Sequence, residues 1–181
     1  MPLPVAHGLL GASVVAALQP RSFLTTPGRL AAALLAGAFA ANAADLDFLL
    51  VFALRSKTWH RGFTHSLAFA LLVGAALAAG LGRERARQAA AYGLAFASHA
   101  VLDWVTTKEG GGVELLWPFT GERFVPGWWG LSEVPSRMPA ADILKSLAVE
   151  FALFAPPLLA VLLWRRLLPG RAESSAEGSA G

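Results

Sequence analysis

The residues of this chain that could do chemistry are few and lie in unusual surroundings. Its four histidines are His7, His60, His65 and His99. Each sits at or near the edge of a long apolar run, and Asp45, Asp47 and Asp103 lie within or at the end of one. The densest stretch is Trp59-His60-Arg61-Gly62-Phe63-Thr64-His65-Ser66-Leu67, with two imidazoles, a guanidinium and two hydroxyls. There is no cysteine, so disulfide frameworks, thiolate metal sites and cysteine nucleophiles are excluded together. Imidazole and carboxylate donors without sulfur suit a divalent cation, zinc first and manganese or iron as alternatives. A cation with an open position brings the pKa of bound water towards neutrality and makes it a nucleophile. The candidate metal ligands are therefore His7, Asp45, Asp47, His60, His65, His99 and Asp103.

Spacing says how these residues can meet. His99 and Asp103, four apart, are about 40° apart on a helix and share one face. His60 and His65 are about 140° apart on an unbroken helix. Gly62 and an N-cap at Thr64 instead place His60 in a loop and His65 in a first helical turn. In this reading Phe63 and Ala68 make the apolar contact across that cap. Asp45 and Asp47 diverge on a regular helix. Either the span ends there, or one is a ligand and the other orients a histidine. Asn42, one turn earlier, is a further candidate to assist them. Arg61 offers a planar, bidentate partner for phosphate or carboxylate, and with Asp47 and Asp103 it completes the candidate catalytic set. The blander readings are a headgroup charge for Arg61, helix-end solvation for the aspartates and an incidental terminal histidine for His7. Glu114 is either a further ligand or solvated, and Glu150 is deep enough to need a partner.

The elements that must position these groups are apolar. The 181 residues are 55% hydrophobic and 15% charged, against about 45–50% and about 25% in soluble domains. With a mean hydropathy of +0.53, the surplus must face lipid. The N-terminus lacks the basic region of a signal peptide, so its apolar run is expected to stay in the mature protein. The pI near 10.0 reflects scattered arginines with a net charge of only +3. No Lys/Arg cluster is interleaved with aromatics, which argues against nucleic-acid binding.

The expected fold is all-α, a multi-pass transmembrane helical bundle of about four to five spans. A single membrane-embedded domain covers 1–169, with a polar loop at 106–139 forming a lid or hairpin and a disordered tail at 170–181. Val5 to Leu18 is a marginal span or a buried helix. Spans follow over Leu30–Leu54, from Thr64 to Leu81, over Gln88–Val105, and over Ala141–Leu168, where Pro156-Pro157 should kink the helix. If the first segment crosses, alternation puts all seven candidate ligands and Arg61 at one membrane face. Trp59, Trp104, Trp117, Trp128 and Trp129 fall there too, and Trp164 falls opposite, as in an interface belt. The short loops and tail opposite carry Arg21, Arg29, Arg83, Arg85, Arg87, Arg165, Arg166 and Arg171. Arg55, Lys57, Arg61, Lys108, Arg123, Arg137 and Lys145 lie on the site side. The positive-inside rule then turns the site outward.

His7, Ala44-Asp45-Leu46-Asp47-Phe48, the His60 to Leu67 run, Ser98-His99-Ala100-Val101-Leu102-Asp103 and Trp117-Pro118-Phe119 resemble the YdjM-type bacterial inner-membrane proteins. The resemblance covers Met1 to Phe119. Ala44 departs from the proline expected before the first aspartate, which bears on the local chain bend. That family is described as metal-dependent hydrolases, some of them under LexA control. The resemblance implies a bacterial inner-membrane location and a metal site, and it leaves the substrate open. The chemistry and its location imply membrane lipids as surroundings and a phosphoester or lipid-linked substrate. Two other classes fit the same ligands: a non-catalytic metal-binding or transport protein, and a non-haem iron oxidoreductase.

Overall fold

A computed structural model describes residues 2–20, 26–107, 111–126 and 139–167. The expectations for Arg21, Lys108, Trp128, Trp129, Arg137, Arg171 and the tail lie outside these residues. The described chain is helical, with one isolated antiparallel bridge between Val113 and Phe124. Its helices are α1 (Pro4–Leu18), α2 (Pro27–Asn42), α3 (Phe48–Leu54), α4 (Leu67–Leu81), α5 (Ala86–Thr106) and α6 (Ala140–Leu167). Short 3-10 turns at Ala43–Asp47, Lys57–Trp59, Phe63–His65 and Arg83–Arg85 join them.

Large apolar side chains point outward and small ones inward. Leu35, Phe39, Phe52, Leu71, Leu144, Leu159 and Leu163 are exposed, while the buried apolar residues are mostly alanines. Lipid is as apolar as leucine, so membrane helices gain by close backbone approach rather than by hiding bulk. Gly11 on α1 and Gly37 on α2 show how close. A Cβ on Gly11 would come within 2.4 Å of the Gly37 carbonyl oxygen. A Cβ on Gly93 of α5 would meet the Gly74 Cα of α4 at 3.0 Å.

Helix α1 is the centre of the bundle, packed against α2, α5 and α6. Its two ends are tied by polar bonds that set the helix directions. At one end Asn42 donates to the Pro4 carbonyl at 3.2 Å. At the other, Arg87 donates to the Leu18 carbonyl at 2.6 Å, and Arg165 donates to that of Gln19. The starts of α1, α4 and α6 therefore share an end with the finishes of α2 and α5, as alternation requires.

Two helical segments are long and apolar enough to cross a membrane, Pro27–Leu54 and Ala140–Leu167. A third arises if the bent pair Lys57–His65 and Leu67–Leu81 is one span. This is fewer than the four to five expected. Helix α1 has 15 residues, short of the roughly 20 needed to cross upright, and α5 carries Arg87, His99 and Asp103. Helix α6 continues through Pro156 and Pro157. The cap of α4 also differs from expectation. Ser66 accepts from the Phe69 amide at 3.0 Å, and Phe63 meets the rings of Phe69 and Trp117. Thr64 is drawn away because its hydroxyl has an anionic partner, described below.

Glu150 is the buried side chain of α6. Its carboxylate accepts from the Leu3 amide at 2.6 Å and the Ala6 amide at 3.1 Å. These are donors that a helix start leaves without an internal partner, and the α1 dipole favours a negative charge there. Replacing Glu150 by Ala orphans both donors, so Glu150→Ala should cost about 1–3 kcal/mol and Glu150→Gln less. Denaturant unfolding in detergent reads this, and equal stability of E150A and the parent would show that the contact is not formed.

Candidate metal centre

Five chain segments deliver the polar residues to one place. The 3-10 turn Ala43–Asp47 interrupts the Pro27–Leu54 span. At about three residues per turn it brings i and i+2 about 120° apart rather than about 160°, so Asp45 and Asp47 can both face the cluster. The departure at Ala44 does not remove this change of winding, and Ala44 packs into the core. His60 follows the turn Lys57–Trp59, and His65 ends the turn Phe63–His65, just ahead of α4. His7 comes from α1, and His99 and Asp103 come from one face of α5.

Asp47 is the hub. Its Oδ1 lies 3.0 Å from His60 Nδ1. Its Oδ2 accepts from the Arg61 amide at 3.0 Å and the Thr64 hydroxyl at 3.1 Å, and lies 3.3 Å from His65 Nδ1. Both oxygens are thus taken by groups of the His60–His65 segment. Arg61 itself has φ 58, a left-handed conformation costing on the order of 1–3 kcal/mol outside glycine. Its amide is held by Asp47, and its carbonyl accepts from the Glu114 amide at 3.1 Å. The Arg61 guanidinium is buried with Nε 3.3 Å from Asp103 Oδ2, so it is an ion-pair partner of the cluster rather than a surface charge.

The histidine tautomers follow from their second nitrogens. His99 Nδ1 lies 2.6 Å from the Ala41 carbonyl, which can only accept, so Nδ1 carries the proton. Its Nε2 then presents a lone pair, 3.4 Å from Asp45 Oδ1 and 3.9 Å from Asp103 Oδ2. The Thr64 hydroxyl gives its hydrogen to Asp47, so it accepts from His65 Nδ1 at 3.0 Å, leaving His65 Nε2 at 3.6 Å from Asp45 Oδ1 and 3.7 Å from Asp103 Oδ2. His7 Nε2 is 3.4 Å from Asp103 Oδ1, and its ring stacks on His99 with centroids 3.8 Å apart. The buried atoms His7 Nε2, His65 Nε2, His99 Nε2, Asp45 Oδ1 and both Asp103 oxygens have no hydrogen-bond partner. Lone pairs facing carboxylate oxygens repel unless positive charge lies among them.

Two groups have ligand atoms within 4.8 Å of one another: His7, His99 and Asp103, and Asp45, His60 and His65. They are contiguous through Asp45 and His99. All eight candidate residues are therefore together, and His7 joins the cluster through Asp103 and His99. Of the seven candidate ligands Asp47 alone stands outside both groups, in the orienting position that its spacing from Asp45 allowed. Glu114 is not directed at the cluster; it pairs with Arg123 at 3.0 Å. Arg123 also donates to the His60 carbonyl at 3.1 Å and to that of Thr58. With the Leu67 amide bonded to the Leu115 carbonyl and the Val113–Phe124 bridge, loop residues 111–126 clasp the His60–Ser66 run. Sequence reasoning missed Thr64, the Ala41 carbonyl and Arg123. Its place before an apolar run marks Thr64 only as a cap, and no local pattern marks the other two.

A sequence model of the YdjM inner membrane protein family matches residues 1–168. Inner membrane protein YbcI of Escherichia coli (strain K12) is 33% identical over 177 residues, covering 92% of this chain and 99% of that protein. No solved structure matches significantly. The family match takes in every segment that sends a side chain into the cluster, and the relative extends over almost its whole length. This chain belongs to the YdjM inner membrane protein family.

Proposed function

We propose that this protein is a membrane-embedded, metal-dependent hydrolase of a phosphoester or lipid-linked substrate. The observation that carries the reading is the set of buried, unpartnered donor atoms on His7, His65, His99, Asp45 and Asp103. These residues, with His60 on the flank, are of the right kind and spacing to hold a divalent cation, and the nitrogen and oxygen donors favour zinc over manganese or iron. When bound, such an ion supplies Lewis-acid polarisation and an activated water near neutral pH. The three carboxylates and the Arg61 guanidinium leave two negative charges, which one divalent cation neutralises.

The other residues then have distinct tasks. Asp47 has no free oxygen and orients His60 and His65, the second-ring role known to sharpen metal affinity. Asp103 faces the cluster and carries Arg61, which holds the positive charge best placed to meet a substrate phosphate. The clasp of Glu114 and Arg123 fixes the backbone on which His60 and Arg61 sit.

A transport reading requires polar groups through the depth of the bundle. Away from the cluster the core holds an apolar group of Val15, Ala33, Ala91 and Ala95, with Ser13 and Gln19 as its buried polar neighbours on and just after α1 and none of them ionisable, which favours chemistry at one face over conduction. The same reading takes α1 and α5 as crossing within the shelter of the other helices, giving five spans. Arg29, Arg83, Arg85, Arg87, Arg165 and Arg166 lie at the end opposite the cluster, so the site opens to the extracytoplasmic side.

Metal analysis of detergent-purified protein tests the centre. The parent should hold stoichiometric metal, and His65→Ala and His99→Ala should each lose it. Asp47→Asn should keep the site with about 10–100-fold weaker affinity. Unchanged metal in both histidine variants would sink a shared centre. For the reaction, zinc- or manganese-loaded protein should cleave members of a phosphodiester and lipid-phosphate panel, with Arg61→Gln slower by at least about 10-fold. Metal-loaded protein inert on the whole panel would overturn the hydrolase reading. For sidedness, a reporter fused after Arg171 should remain cytoplasmic, whereas its export would reverse the assignment.

A further inference from the structure

A second site lies at the opposite end of the bundle. Arg29, Ala32, Ala33 and Ala36 of α2, with Arg85 just before α5 and Gln88 and Tyr92 in its first turns, line a cleft of about 590 Å³. Arg29 and Asp45 are sixteen residues apart along the same span, which at 1.5 Å per residue is about 24 Å. The cleft is therefore remote from the metal centre and independent of the reading given to it.

Three observations define what would fill it. Among the described residues, neither the Arg29 nor the Arg85 guanidinium makes an ion pair or hydrogen bond, although both line the same cavity. A buried acceptor, Gln88 Oε1, lines it too and has no hydrogen-bond partner. The remaining wall is Ala32, Ala33 and Ala36 with Tyr92, and Leu35 and Phe39, the next large apolar residues of α2, are exposed. Two cations and an unfilled acceptor at the mouth, with an apolar groove running into the lipid-facing surface, match one kind of molecule.

We propose that this cleft binds an anionic glycerophospholipid of the basic-loop leaflet. Its phosphate sits between Arg29 and Arg85, a headgroup hydroxyl donates to Gln88 Oε1, and an acyl chain lies along Ala32, Ala36 and Phe39. Guanidinium forks suit phosphate oxygens, and the position of both arginines at the end of an apolar span places them at headgroup depth. A free inorganic anion satisfies the two charges but leaves the apolar wall uncovered. Commitment to a lipid rests on that wall.

The test uses the full chain in a neutral detergent, with short-chain phosphatidylglycerol, phosphatidylcholine and inorganic phosphate as separate probes. Binding is read by native mass spectrometry and by the shift in unfolding temperature. Phosphatidylglycerol should bind at least tenfold more tightly than phosphatidylcholine and should raise the unfolding temperature; inorganic phosphate should do neither. Arg29→Gln with Arg85→Gln should remove the preference. Ala36→Trp, which fills the groove and leaves the charges, should weaken phosphatidylglycerol binding by a similar factor. Arg166→Gln, an equally exposed arginine outside the cleft, should change nothing. Inorganic phosphate competing as well as the lipid would overturn the proposal in favour of a simple anion site. An equal loss in the Arg166→Gln variant would overturn it in favour of diffuse surface charge. An Ala36→Trp variant that is folded and binds normally would show that no acyl chain occupies the groove.

Discussion

The constraint on which the structure depends is the cost of taking carboxylates and imidazoles out of water. Asp47 and Asp103 are buried with His7, His65 and His99 in a core whose apolar members are mostly alanines. An unpaired buried charge is expensive enough that such groups neutralise, pair or bind a cation. In lipid there is no water to fall back on. Each of these side chains must therefore be answered by another, and those answers come from distant parts of the chain. Asp47 collects the His60–His65 segment, Arg61 answers Asp103, and the Ala41 carbonyl fixes His99.

Small residues make that convergence possible. Gly11 against Gly37, and Gly74 against Gly93, let backbones approach so closely that side chains from α1, α2 and α5 reach a common point. A side chain at Gly11, Gly37 or Gly93 would clash with the facing helix and push apart the backbones that carry the cluster. The alanine core thus does two jobs, packing in lipid and setting the spacing of the polar groups. The polar ties at the two ends of α1 add direction. Glu150 and Asn42 act where His7 enters the cluster, and Arg87 and Arg165 act at the far end.

The two ends of the bundle also differ in chemistry. One concentrates buried carboxylates and imidazoles and is clasped by the loop at 111–126; the other carries arginines and a cleft with an apolar floor. This polarity along the bundle axis follows from the alternating directions of the helices. Each reversal of the chain returns the next ligand to the same end and the next arginine to the other. It is also what distinguishes a site at one face from a pathway through the membrane.

Composition and residue order determined a good deal of this by themselves. The excess of apolar residues required lipid-facing helices, and the positions of His7, Asp45, His65, His99 and Asp103 put them at one face provided that the first segment alternates with the rest. The pairing of His99 with Asp103 was legible because four residues on a helix span about 40°. What the sequence could not carry was the number of helices that cross unaided, since crossing depends on which apolar residues are already covered by neighbours. Nor could it rank Asp45 against Asp47. Two residues apart, they look alike in the chain, and only the 3-10 winding at Ala43–Asp47 and the arrival of Arg61, Thr64, His60 and His65 turn one into the hub and leave the other facing inward. The same holds for Thr64 and Ser66, either of which could cap α4: the choice went to Ser66 because Thr64 had a carboxylate within reach. The tertiary structure decided these points because each turns on a hydrogen bond between segments far apart in sequence, and local spacing holds no record of such bonds.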